Sequence, residues 1–142
     1  MATDLLIKKI FVLKKNCYLP VVDKNSAHNL LFIKYNIRDK LVLNKFNIKE
    51  PIVKAHNIIA PENLDLVIVP LVGFDKFGNR LGSGAGFYDR AFAFLHKKNL
   101  SIRPKLVGLA FGVQQLEKII TQPWDIKLDN IVTETGFIRL LS

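Results

Sequence analysis

The sequence predicts an α/β fold, a Rossmann-like three-layer α/β/α sandwich around a mostly parallel sheet. Two observations predict it. Apolar runs of strand length alternate along the chain with segments of helical periodicity. Several of those runs are continuously apolar, the pattern of strands covered on both faces, as parallel sheets require. A length of 142 residues suits one domain, 1–142, with a hydrophobic core of its own. Hydrophobic residues make up 49% and charged residues 23%, a composition that excludes a disordered chain.

The elements follow in order. From Asp4 to Lys15, the residues Leu5, Leu6, Ile10, Phe11 and Leu13 mark an amphipathic helix. "NCYLPVV" is a short buried strand ending near Pro20, and "LLFIKY" is a second strand. "LVLNKFNIKEP" is less regular and ends in a turn at Glu50-Pro51. "DLVIVPLVGF" has no polar alternation, so it reads as a strand buried on both faces. The glycine-rich stretch "RLGSGAGFYDR" comes next. In "FYDRAFAFLHKKN", Phe87, Ala91, Phe94 and Leu95 recur at helical spacing. "KLVGLAF" is another buried strand, "VQQLEKII" a short helix and "NIVTETGFIRL" a last strand. No internal repeat, low-complexity segment or linker is evident.

The net charge of +9 suits phosphate-bearing ligands or nucleic acid. Nucleic acid is disfavoured: the aromatics lie in apolar runs instead of alternating with Lys and Arg, and no recognition motif is present. The longest apolar stretch, "LDLVIVPLVGF", is too short to span a membrane and contains Pro70. The first residues lack the order of a signal peptide. Cys17 is the one cysteine and sits in an apolar run, so it reads as a buried, inert thiol. The expected compartment is the cytoplasm. His28, His56 and His96 show no metal-ligand spacing.

The chemistry concentrates in residues 80–90. Gly82, Gly84 and Gly86 sit at every second position between Arg80 and Arg90, with Asp89 beside the second arginine. Glycines let a main chain approach phosphate oxygens, and a following helix offers free N–H groups to an anion. Arginines can neutralise the charge, and a carboxylate can hold magnesium. The P-loop, dinucleotide and nucleophile-elbow patterns all fail: there is no Gly-Lys pair, and Phe87 and Leu81 stand where glycine would be needed. A tight structural turn remains open on these residues alone. Asp75 reads as the cap of the turn entering the loop, and Asp129 as a maker of structural hydrogen bonds.

The stretch "DLVIVPLVGFDKFGNRLGSGAGFYDR" resembles the signature of the 5-formyltetrahydrofolate cyclo-ligase (5,10-methenyltetrahydrofolate synthetase) family. The matching positions are Pro70, Phe74-Asp75, Gly78, Arg80-Leu81-Gly82, Gly84, Gly86 and Tyr88-Asp89. "VGLAFGVQQLEKI" and "WDIKLDNIVTETG" are similar to its C-terminal blocks, while "KKNCYLPVV" and "KFNIKEP" fit more loosely. The resemblance implies an ATP- and magnesium-dependent ligase. In its reaction the formyl oxygen of 5-formyltetrahydrofolate takes the γ-phosphoryl group. N10 of the same folate then attacks the activated carbon, and phosphate leaves.

Carried over by residue, the resemblance implies that Arg80, Leu81, Gly82, Ser83, Gly84, Ala85, Gly86, Phe87 and Tyr88 contact ATP. It also turns Ser83, Gly84, Ala85, Gly86 and Phe87 toward the reduced folate, gives Arg80 and Tyr88 catalytic roles, and makes Asp89 and Asp125 the magnesium carboxylates. Phe87 stands where the family commonly has tyrosine, and Trp124 where it commonly has histidine. Relatives carry further helical residues ahead of the matched region. Self-association or a separate N-terminal segment is therefore an expected partner. A nucleotide- or phosphate-binding module without cyclo-ligase activity is the alternative reading.

Overall fold

The computed structural model describes residues 3–26, 28–45, 47–97 and 103–141. The chain divides into two compact units, Met1–Ala60 and Pro61–Ser142.

The first unit opens with α1 (Asp4–Val12). Its end is a Schellman closure: the Lys15 N–H bonds Ile10 O at 3.0 Å and the Lys14 N–H bonds Phe11 O at 2.9 Å. Lys14 takes the left-handed conformation this requires, at φ 54°. The helix thus stops short of the Asp4 to Lys15 span its apolar spacing suggests. The strands β1 (Cys17–Val22) and β2 (Leu30–Tyr35) pair antiparallel from Cys17↔Tyr35 to Val22↔Leu30. A two-stranded ribbon, β3 (Leu41–Leu43) with β4 (Lys49–Pro51), follows, so Glu50 and Pro51 are not the expected turn but are paired with Val42 and Leu41. Finally β5 (Ile58–Ile59) pairs with the free side of β2.

Pro20 does not end β1, because β1 is the edge of its sheet. A proline there can turn its missing donor outward. Cys17, Val21, Phe32 and Ile33 are buried. Burial pushes the Cys17 thiol above its ordinary pKa, in line with an inert role.

The second unit is built on a mixed sheet. Its elements are β6 (Leu66–Val69), β7 (Gly73–Phe74), β8 (Arg80–Leu81), α2 (Phe87–Ala91), β9 (Lys105–Leu109), β10 (Asn130–Thr133) and β11 (Gly136–Ile138). The sheet order is β11-β10-β9-β6. The β6–β9 and β9–β10 pairs are parallel, and β11 closes antiparallel on β10. The fold is therefore α/β, with parallel strand pairing at β6, β9 and β10 and an isolated parallel bridge between Phe74 and Gln115. Of the runs expected to be covered on both faces, β9 fits: Leu106, Val107 and Gly108 are consecutively buried. A Cβ on Gly108 would meet Leu71 Cδ2 at 2.7 Å and Leu128 Cδ1 at 2.8 Å. By contrast β6 alternates, with Val67 and Val69 buried and Leu66 exposed.

Three sequence expectations change here. "VQQLEKII" is not a helix: only Gly112–Gln114 makes a 3₁₀ turn. Tertiary bonds take the N–H groups a helix would use, Leu116 N–H to Phe74 O at 2.7 Å and Ile119 N–H to Asp75 Oδ2 at 2.9 Å. "NIVTETGFIRL" is a hairpin instead of one strand, with Gly136 at φ 116° after the turn. "FYDRAFAFLHKKN" breaks at Phe92 (φ −110°) into α2 and a 3₁₀ turn, Ala93–His96. Lys98 and Asn99 of that run lie outside the described residues.

A hairpin, β7–β8, stands between β6 and the glycine loop. Its turn is organised by Asp75, which is fully buried. Asp75 Oδ1 accepts the Phe77 and Asn79 backbone N–H groups at 2.9 and 3.0 Å. Oδ2 accepts the Asn79 side-chain amide and the Ile119 N–H, both at 2.9 Å. Burial alone would raise the Asp75 pKa, but these four bonds outweigh it and hold the carboxyl below its ordinary value. Gly78 sits at φ 80°, and a Cβ there would come within 2.8 Å of Leu128 O.

Asp75→Asn leaves one amide NH2 facing N–H donors, and should lower stability by about 2–4 kcal/mol. The sign with pH follows from the lowered pKa. Asp75 stabilises fully above its unfolded pKa, and that contribution is lost as pH falls through the folded value. Urea titrations from pH 7 to pH 2 should therefore give the variant a flatter acid limb than the parent. Equal acid limbs would refute the role.

Candidate functional site

The candidate site lies at residues 80–90 and at the 122–126 turn. The Arg80 side chain is only 8% exposed. Its guanidinium donates to Asp89 Oδ1 at 2.7 Å and lies 6.0 Å from the centroid of the Tyr88 ring. Asp89 Oδ1 also accepts the Ile126 N–H at 3.1 Å, which places the residue after Asp125 against Asp89. Asp125 is shaped by its own turn, accepting the Gln122 N–H on Oδ2 at 2.7 Å. The structure thus gathers Arg80, Tyr88, Asp89 and the Asp125 turn.

The loop glycines answer to the arginines. A Cβ on Gly82 would lie 2.9 Å from an Arg80 guanidinium nitrogen, and one on Gly86 would lie 2.9 Å from the Arg90 guanidinium. Gly84 and Gly86 also adopt φ 91° and 65°, values that side chains disfavour. Arg90 donates to Ala85 O at 2.7 Å and stacks 5.5 Å from the Phe87 ring centroid. One arginine therefore folds over each end of the loop. Leu81, Ser83, Gly84 and Ala85 are exposed between them. The following helix α2 has only 5 residues, so loop N–H groups, more than a helix dipole, are the available donors.

Tyr88 is partly buried and stacked on buried Phe92, with centroids 6.4 Å apart and planes at 16°. Burial pushes its phenol up to about 12, opposed by the Arg80 charge. It is a hydrogen-bond donor at neutral pH and not a base. Trp124 is largely exposed, and its carbonyl meets His96 Nε2 at 3.3 Å.

Asp129 makes the structural bonds expected of it. It pairs with Arg103, accepts the Leu106 N–H at 2.8 Å and lies 3.6 Å from Lys105.

The donor chemistry here suits a hard cation. Two carboxylates, Asp89 and Asp125, come from adjoining segments, and each has an oxygen beyond the one bonded above. Among the described residues no group of three acidic, histidine or cysteine side chains is assembled for a metal. One or two carboxylates completed by phosphate oxygens and water is the usual magnesium arrangement. The residues fit.

Sequence reasoning missed two supports. Arg90 braces the loop through Ala85, and Gln114 reaches Val72 O at 3.1 Å while accepting the Phe111 N–H at 2.7 Å. The first was visible as a flanking cation. The second had no local signal, since its partner is some forty residues away.

Comparison with known proteins shows the family. The model of the 5-formyltetrahydrofolate cyclo-ligase family matches residues 1–134. The chain is 41% identical over 132 residues to a 5-formyltetrahydrofolate cyclo-ligase of Haemophilus influenzae, covering 93% of this chain and 68% of that protein. It is 40% identical over 131 residues to that of Escherichia coli (strain K12), covering 92% and 70%. Among solved structures, the 5,10-methenyltetrahydrofolate synthetase of Aquifex aeolicus superposes with a TM-score of 0.77 at 29% identity, covering all of this chain and 66% of the other. The chain thus spans about two thirds of the length of these relatives. On the family match and these identities, it belongs to the 5-formyltetrahydrofolate cyclo-ligase family.

Proposed function

We propose that residues 1–142 act as a single cyclo-ligase domain that converts 5-formyltetrahydrofolate to 5,10-methenyltetrahydrofolate, using ATP and magnesium and releasing ADP and phosphate. The observation that carries the proposal is the Arg80–Asp89 contact beneath the glycine loop, inside the segment that matches the family. The formyl oxygen attacks the γ-phosphorus and the bond to ADP breaks. N10 then attacks the formyl carbon, loses its proton, and the C–O bond to phosphate breaks. Phosphoryl transfer of this kind asks the protein mainly for position and charge.

The residues divide that work. Loop N–H groups from Gly82 to Gly86 cradle phosphate oxygens, and the braced arginines hold the loop in shape. Arg80 supplies positive charge to the transferring group, and the Tyr88 phenol donates a hydrogen bond without leaving its proton. Ser83 to Phe87 form the wall facing the folate. Asp89 and Asp125 would hold magnesium, which when bound neutralises phosphate charge.

Two outcomes test this reading. Gly86→Val places a branched side chain at φ 65° and against Arg90. ATP affinity should fall about tenfold or more in calorimetry, with the far-ultraviolet spectrum unchanged. Unchanged affinity would remove the loop from the nucleotide site. In Tyr88→Phe, methenyl-folate formation should fall by roughly ten- to a hundredfold. The loss should stay constant from pH 6 to pH 9, because the phenol does not titrate there. With its folded pKa raised above the unfolded value, Tyr88 stabilises the protein below pH 10 and loses that contribution as pH climbs toward 12. The phenylalanine variant should lack this alkaline loss. An activity difference that titrates near neutrality would show that Tyr88 works as a base.

A further inference from the structure

We propose that Gln114 is a positioning residue for the glycine loop. Its side chain ties the exit of β9 to the exit of β6, and through Val72 it fixes Leu81, the residue from which the loop springs. In an open α/β sheet, ligands bind at the carboxyl ends of the parallel strands. Here β6 ends at Val69 and β9 at Leu109, and each runs on into a short exit, residues 70–72 and 110–114. Both ends of the Gln114 amide are engaged between these exits. Its Nε2 donates to Val72 O at 3.1 Å and to Leu71 O at 3.4 Å. Its Oε1 accepts the Phe111 N–H at 2.7 Å. The Val72 N–H in turn donates to Leu81 O at 2.7 Å. One side chain and one residue of backbone therefore connect the β9 exit to the residue before Gly82.

The turn that carries Gln114 is not held by burial. None of Gly112–Gln114 is buried, and Val113 is 90% exposed. Polar contacts hold it instead. Glu134, which follows β10, accepts the Gly112 N–H on both carboxylate oxygens, at 2.9 and 3.2 Å. The Leu116 N–H reaches Phe74 O at 2.7 Å, and Phe74 and Gln115 form a parallel bridge. The exits of β6, β9 and β10 are thus laced together over a turn that adds no buried side chain to the core, and the lace ends on Leu81. What such a turn contributes is placement. Arg80 and Arg90 brace the loop itself, whereas Gln114 fixes the strand pair on which the loop stands. A loop whose root is fixed in advance has less entropy to lose on binding. The consequence for ATP rests on the function proposed above; the chain of contacts from Gln114 to Leu81 does not.

The test is amide exchange by nuclear magnetic resonance on the ligand-free full chain, with ATP calorimetry on the same samples. Three N–H groups report. Val72 bonds Leu81 O, Arg90 bonds Gly86 O at the other end of the loop, and Asp129 bonds Leu106 O toward the opposite end of β9. Gln114→Met keeps the side-chain length and removes its bonds to Leu71, Val72 and Phe111. Gln114→Glu keeps the acceptor for Phe111 and removes only the bonds to Leu71 and Val72. In both variants exchange at Val72 and Arg90 should rise about tenfold, and ATP affinity should fall by a similar factor, with Asp129 unchanged. Gln115→Met, next in the chain and exposed, should change none of these by more than about twofold. Arg90→Ala combined with Gln114→Met should weaken ATP binding by less than the product of the two single effects, because both act on one loop. Equal acceleration at all three amides would reduce Gln114 to a general stabiliser and overturn the proposal. So would acceleration at Val72 that leaves Arg90 at the parent's rate. Acceleration at Val72 and Arg90 with ATP affinity intact would instead remove the nucleotide from the loop and leave the positioning role standing, so the two failures are distinguishable.

Discussion

The second unit depends on one buried carboxylate. Asp75 has no solvent exposure and no cationic partner among the described residues; four N–H groups carry its charge. Isolated burial of an anion costs several kcal/mol, so these bonds are obligatory. Satisfying them dictates the local path. Two bonds come from the turn backbone and fix the β7–β8 hairpin, which delivers Arg80. A third orders Asn79, and the fourth reaches across to Ile119 and holds the segment leading to Asp125. The Leu128 N–H to Gly78 O bond, at 2.8 Å, closes the same clamp from the far side. The hairpin that presents Arg80 and the segment that leads to the Asp125 turn are therefore both tied to one group. Asn79 Oδ1 is the unsatisfied acceptor in this arrangement, buried and without a hydrogen-bond partner among the described residues.

The same clamp explains why some of the fold was legible and some was not. The parallel strands β6 and β9 announced themselves through apolar runs, and α1 through its spacing, because those signals are local. The antiparallel sheet of the first unit was less visible as such. The strands "NCYLPVV" and "LLFIKY" were legible, but the third strand of their sheet, β5, is two residues that no periodicity can reveal. "VQQLEKII" carried a helical pattern and formed none, since tertiary acceptors at Phe74 and Asp75 captured its N–H groups. Propensity is a weak prior when a buried acceptor competes. The β10–β11 hairpin reads as one strand in the sequence, because its turn is marked only by Gly136, whose φ of 116° glycine adopts readily.

For the site, residue types and order were legible, but their mutual support was not. The resemblance named Arg80, Tyr88 and Asp89, which do come together. It did not reveal that Arg80 is tied to Asp89, or that Asp89 also grips the chain beside Asp125. Nor could spacing alone show why the glycines alternate. Gly84 has nothing within 4 Å of where a Cβ would stand, and its φ of 91° is what asks for glycine there. Gly82 and Gly86 need a different explanation, because the space their side chains would fill is already taken by guanidinium groups of this same chain.

That packing bears on catalysis through preorganisation. A loop rich in glycine is entropically costly to order, because each glycine has more freedom to lose than any other residue. Left unsupported, residues 82–86 would spend ligand-binding energy on becoming ordered. The two arginines remove part of that cost before any ligand arrives. Arg90 fixes Ala85 through its carbonyl and covers Gly86, while Arg80 covers Gly82 and is itself fixed by Asp89 and Tyr88. The carbonyl of Ala85 is thereby occupied, and that of Gly86 accepts the Arg90 N–H at 3.1 Å. A donor array held in advance is what stabilises developing phosphoryl charge without reorganisation during the reaction. Replacing Gly82 with alanine should displace Arg80 and loosen the loop, even though no atom of the alanine touches a phosphate.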